Sequence, residues 1–193
     1  MIDLTTPSVP VFAGCHSSSD THDTQCVMYR GPDPDHGNRE ICVSSNEDHV
    51  EIADVTVKGS PKTIATMTYG QLGFVHQGWL TEDHRFLLIG DELDELQFGV
   101  GTRTHTFDVT DLDLPLYLGP LETGTLSIDH NLYVHGNRIF EANYSSGCAC
   151  WNSRTWRRRH RLWAFSSIPS PPATKWISSE HGACIPTSHR AQS

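Results

Sequence analysis

The pattern Asp-(Val/Leu)-Thr, four residues, Pro occurs three times in this chain. The copies are Asp3-Leu4-Thr5…Pro10, Asp54-Val55-Thr56…Pro61 and Asp108-Val109-Thr110…Pro115. A strand-like stretch precedes each of the last two (Val50, Ile52, Ala53; Thr104, Thr106, Phe107), and an apolar stretch follows the proline (Ile64, Ala65, Met67; Leu116, Leu118). Asp and Thr side chains bond turn amides, and Pro stiffens the connection, so each copy predicts an outer β-hairpin. Histidines open similar segments at His22, His76 and His130, and both Asp54–His76 and Asp108–His130 span 22 residues. After each of the last two histidines come a short strand, a turn and a second strand, Arg85–Ile89 and Arg138–Ala142.

Each unit reads as about four strands with no helical periodicity. A four-stranded unit that cannot bury both of its faces alone is a propeller blade, and the expected fold is an all-β partial β-propeller of about three four-stranded blades. A β-sandwich with coincidental repeats is the competing architecture. Blade-like units cover 22–75 and 76–129, residues 1–14 supply an outer hairpin, and a further unit begins at His130. The insertions fall early in one unit (31–38) and late in the next (92–101). Domain organisation follows: 1–147 as the partial propeller and 148–193 as an irregular, disordered tail.

The tail breaks the pattern in composition as well. Residues 148–193 carry seven of the 14 Lys and Arg, a single acid (Glu180), and four of the five Trp. Plausible GC-rich codons for 147–156, read two bases later, spell LRVLELEDV, a strand and turn of the repeated kind. A shifted reading frame would explain the charge reversal and the Trp excess together; an in-frame basic tail would instead suit anions. The whole chain has a net charge of −9, which argues against a nucleic-acid partner. It has no apolar run near 18 residues, so no membrane-spanning helix is expected. The first residues, MIDLTTPSVPVFAGC, lack a basic start and an apolar core, so no signal peptide is visible.

Cys15, Cys26 and Cys42 lie close together in a loop-rich region. They suggest a disulfide such as Cys26–Cys42 in an oxidising compartment, or else buried thiols. The acidic run Asp91-Glu92-Leu93-Asp94-Glu95 offers hard oxygen ligands suited to Ca2+, or forms a solvated loop. His22, His76, His130 and Asp129 are expected near one channel mouth. There they would hold a transition metal, or each imidazole would bond a carbonyl of the next blade. Trp79 and Tyr133 correspond in position and are expected to pack between blades. Arg85 and Arg138 are expected to pair with acids such as Asp54 or Asp108. Motifs for a nucleophile elbow, a zinc-protease helix, a P-loop or a dinucleotide fold are absent.

The segments GCHSSSDTHDTQCVMYRGPDPDHGNREICVSSNED, HQGWLTEDHRFLLIGDELDE, TRTHTFDVTDLDLPLYLG and IDHNLYVHGNRIFEANYSSG resemble the choice-of-anchor B family, whose members carry LVIVD-type β-propeller repeats. The resemblance covers roughly residues 1–147. It implies a secreted or surface-anchored protein and a fragment of a longer propeller, and it carries no established activity. The function expected is that of a non-catalytic extracellular binding or scaffold propeller with a protein or glycan ligand. The alternative is a metal-dependent hydrolase or lyase using the His and Asp groups of the mouth.

Overall fold

The computed structural model describes residues 1–16, 19–152, 177–178 and 184–185. In chain order the strands are β1 (Ile2–Asp3), β2 (Val11–Phe12), β3 (Asp23–Met28), β4 (Glu40–Ser45), β5 (Val50–Asp54), β6 (Lys62–Met67), β7 (Val75–Leu80), β8 (Phe86–Asp91), β9 (Arg103–Asp108), β10 (Leu116–Glu122), β11 (Leu132–His135), β12 (Arg138–Asn143), β13 (Gly147–Asn152), β14 (Ile177–Ser178) and β15 (Cys184–Ile185). The late insertion folds as one helical turn, α1 (Asp94–Phe98), and Gly99 closes it in the left-handed region at φ 66°. Glycine meets no Cβ clash there.

Local chemistry explains the reversals. Asp3, Asp54 and Asp108 each accept a hydrogen bond from the amide of the threonine two residues on, at 2.8, 2.9 and 2.9 Å. Pro10, Pro61 and Pro115 stand immediately before β2, β6 and β10. These are the outermost strands, and a residue without an N–H costs least just outside their ladders. Thr56 and Arg39 hold the Asp54 carboxyl down at about 2 even though its partial burial pushes the other way.

Antiparallel meanders follow: β3-β4-β5-β6, then β7-β8-β9-β10, then β11-β12-β13. The sheets stack as blades, with β7 set beside both β3 and β11. Tyr29, Ile41, Val43, Ile52, Leu87, Ile89 and Phe107 belong to one buried cluster that joins the first two blades. Leu88, Leu132, Val134 and Ile139 form a smaller one between the second and third. Period-2 alternation in β8 therefore sends Leu87 and Ile89 one way and Leu88 the other. A strand buried on both faces in this way is what an arc of blades requires.

Inner strands are tied by side-chain amides. Gln25 Oε1 in β3 accepts from the Leu80 amide at 2.8 Å, and Gln77 Oε1 in β7 accepts from the Leu132 amide at 2.7 Å. Sequence reading assigned that inter-blade role to the phased histidines. An amide reaches a neighbouring backbone as well as an imidazole does, and both glutamines hold the third position of their strand, 52 residues apart.

Gly147–Asn152 is a full strand paired to β12, so the third blade continues past the expected break. Its residues are mostly small, and the ladder with β12 holds them without a large alternating pattern. The remainder of the tail, apart from the β14–β15 pair, lies outside the described residues, and so does the proposed change of frame.

Candidate functional site

The phased histidines meet. His22 precedes β3, His76 sits in a register shift of β7 between Val75 and Gln77, and His130 precedes β11. Their ring centroids are 4.6 Å (His22–His76) and 4.2 Å (His76–His130) apart. Phe74 closes one end of the row at 5.1 Å from His22, and Tyr144 closes the other at 5.2 Å from His130. Five rings thus run in series across three blades, along the end where the inner strands begin.

Glu92 faces this row. Its Oε2 lies 3.5 Å from His76 Nε2, and its Oε1 lies 3.8 Å from His130 Nε2. The Tyr144 hydroxyl donates to the same carboxylate, which pushes the phenol up to about 12. Burial, then the neighbouring His130, lowers His76 to about 4, against the pull of Glu92. His76 is therefore a neutral imidazole at pH 7, the form that binds metals. The Nδ1 atoms of both His76 and His130 are buried with no hydrogen-bond partner, so neither ring caps a carbonyl of the next blade.

Asp129, expected at the mouth, and Asp91, expected in a Ca2+-binding or solvated acidic run, are both fully buried. Asp91 accepts from the Gly73 and Phe74 amides at 2.8 and 2.6 Å and from the Tyr69 hydroxyl at 3.0 Å. It ends β8 and organises the 69–74 loop. Asp129 Oδ2 accepts from the Asp91 amide at 3.2 Å. A Cβ at Gly90 would stand 2.8 Å from that oxygen, so only glycine admits Asp129 this close. The acidic run is not a solvated loop. Asp94 is buried against Arg103, which donates to Asp94 Oδ2 from Nε and Nη2 at 2.9 and 2.7 Å. Burial raises the carboxyls of Glu95, Asp129 and Glu141, Glu95 to about 8. Adjacent residues thus part company: Asp91 is a structural carboxylate, and Glu92 belongs to the mouth.

A second series near the same end has no sequence signature. His49 Nδ1 bonds Asp48, and its Nε2 lies 3.4 Å from Ser19 Oγ. Asn46 Nδ2 is nearer to that Nε2, at 3.1 Å, and the Asp48 side chain is 85 % exposed. A catalytic imidazole needs a shielded carboxylate and an unshared nitrogen, and this one has neither.

Cys26 and Cys42 face each other across β3 and β4 and are joined by a disulfide, whereas Cys15 is free and exposed. Trp79 meets Tyr133 edge-on at 4.9 Å across the second and third blades. The expected arginine pairs are corrected. Arg39 of the same blade takes Asp54 at 2.7 Å, and Arg85 lies against the Phe86 ring. Arg85 sits at the exposed start of β8, where its carbonyl accepts from the Val109 amide at 2.8 Å, and among the described residues its side chain makes no ion pair with Asp108.

No family model and no curated protein matches this chain. Among solved structures, the chain is similar to the β-propeller domain of Cps50 (Swd1) from Myceliophteria thermophila, at 15 % identity and a TM-score of 0.48. The match covers 79 % of this chain and 50 % of that one, so the chain spans about half the length of that domain.

Proposed function

We propose that this chain is part of a non-catalytic β-propeller of the choice-of-anchor B type, exposed outside the cell, whose mouth binds a protein or glycan ligand. One observation carries the reading: the unbroken series Phe74–His22–His76–His130–Tyr144, with centroid spacings of 4.2–5.2 Å, rimming the end of three blades. Flat rings of this kind offer faces for a sugar ring or a peptide side chain at low entropic cost. Tyr144, at 60 % exposure, and the exposed His22 stand at the solvent edge of the series. The Cys26–Cys42 bridge supports an oxidising compartment. The half-formed Ser19–His49–Asp48 series does not furnish a serine nucleophile, because its imidazole is shared and its acid is solvated.

The experiment has two arms. Fractionation of cells expressing the full reading frame should recover the protein at the surface or in the medium; recovery in the cytosol alone would overturn the location. Arrays of extracellular proteins and glycans, probed with the wild type and with Tyr144→Ala, should give a ligand whose signal falls about tenfold or more in the variant, the usual cost of an aromatic hot spot. Equal signals for both proteins would remove the mouth as the binding surface.

A further inference from the structure

We propose that His76, Glu92 and His130 form a binding site for a divalent transition metal of the Zn2+ class, which clamps the second blade to the third. One ligand atom from each of these residues can be chosen so that all lie within 4.8 Å of one another. Donors held about 2.0–2.1 Å from a tetrahedral ion stand roughly 3.3 Å apart. The His76 and His130 nitrogens already lie 3.5 and 3.8 Å from the two oxygens of Glu92. Small rotamer changes therefore close the set.

The donor types select the ion. Two imidazoles and one carboxylate suit Zn2+ and its neighbours, whereas Ca2+ and Mg2+ take oxygen shells. The Nδ1 atoms of His76 and His130 have no hydrogen-bond partner, so no bond there opposes the small ring rotation that brings each Nε2 to the ion. Access exists, since the His130 and Glu92 side chains are 21 and 20 % exposed.

Two other groupings of metal-binding residue types fail the same test. Asp91, Asp94 and His105 lie close together, but Asp91 already accepts several donors and Asp94 holds the Arg103 guanidinium. A cation already occupies that charge. Asp33, His36 and Asp113 form a clip between the first insertion and the second blade. Asp33 there spends both oxygens on the Asp35 and Leu112 amides.

The metal site stands apart from the ligand-binding reading: a chain that binds Zn2+ but no glycan or protein keeps the former and loses the latter. The test is Zn2+ titration of the full chain against a chelating indicator, with Co2+ spectra as a second readout. Expected are one tight equivalent of Zn2+, a Co2+ spectrum of low-coordinate N/O type, and at least tenfold weaker binding in each of His76→Ala, His130→Ala and Glu92→Gln. His135→Ala, whose imidazole is 89 % exposed and away from the mouth, should bind as the wild type does. Should His76→Ala fail to fold, the partly exposed His130 and Glu92 variants decide. Undiminished Zn2+ binding in those two, or no binding by the wild type, overturns the site.

Discussion

The two blade junctions are built differently. Between the first and second blades, β9 presents Arg103, His105 and Phe107. The Phe107 ring joins a large apolar cluster, His105 stacks on Tyr69 at 3.9 Å, and the Arg103 charge is matched by Asp94. Between the second and third blades the same strand presents Thr104, whose hydroxyl donates to Glu141. Four apolar side chains form that buried cluster, beside carboxyls whose protonated forms are favoured by burial. One junction is held by area removed from water and by a buried ion pair. The other is held by protons and hydrogen bonds, so it is the one that solution conditions can loosen.

The largest expected effect turns the first junction into the likeness of the second. Asp94→Ala leaves the buried Arg103 guanidinium without its carboxylate, and urea denaturation should show a loss of about 3–5 kcal/mol. A loss under 1 kcal/mol would mean that the pair is not the element that keeps this junction charge-neutral. Next comes Gln77→Ala, which strands the buried Leu132 amide at the second junction and should cost about 1–3 kcal/mol. Gln25→Ala, its counterpart at the first junction, should cost less, because the larger apolar cluster keeps those inner strands together. An equal or larger cost for Gln25→Ala would break the contrast.

Ile52→Val, a single methylene removed from the apolar cluster, should cost about 0.5–1.5 kcal/mol and the same amount at pH 5 and pH 8. A separate effect, not ranked with the single-site losses, is the pH slope of the second junction. Burial first, then the charge of Asp94, raises folded Glu95 to about 8, while the unfolded carboxyl titrates near its ordinary value of about 4.3. Below that lower value both states carry the proton. Between the two values only the folded state keeps it, so stability declines as pH rises toward 8. Glu95→Gln should flatten this decline, read as urea midpoints at pH 5, 6.5 and 8. Parallel slopes for variant and wild type would show that Glu95 does not set the pH response.

Legibility followed the range of the interactions. The Asp-Thr turns were readable because donor and acceptor sit two residues apart in one strand end, as at Asp54 and Thr56. The meeting of His22, His76 and His130 was readable because equal spacing in a repeat becomes adjacency in a stack. Asp91 and Glu92 could not be told apart, since neighbours on a strand point to opposite sides and only the third blade says what each side meets. The clips at Gln25 and Gln77 recur 52 residues apart but carry no motif that names their partners, and β13 carries no alternation. Both depend on partners 55 and about ten residues away that composition does not announce.

The order of residues alone settled that this chain turns back on itself at three Asp-Thr-Pro segments and that its units are all-β and repeated, because turns and pleats are decided by bonds within a few residues. Stacking decided the rest. It settled which acids are buried and which face the mouth, which side chains join the blades, and that Glu92 rather than Asp129 stands beside the histidines. Those outcomes depend on which surfaces exclude water, and a surface exists only once separate sheets have met.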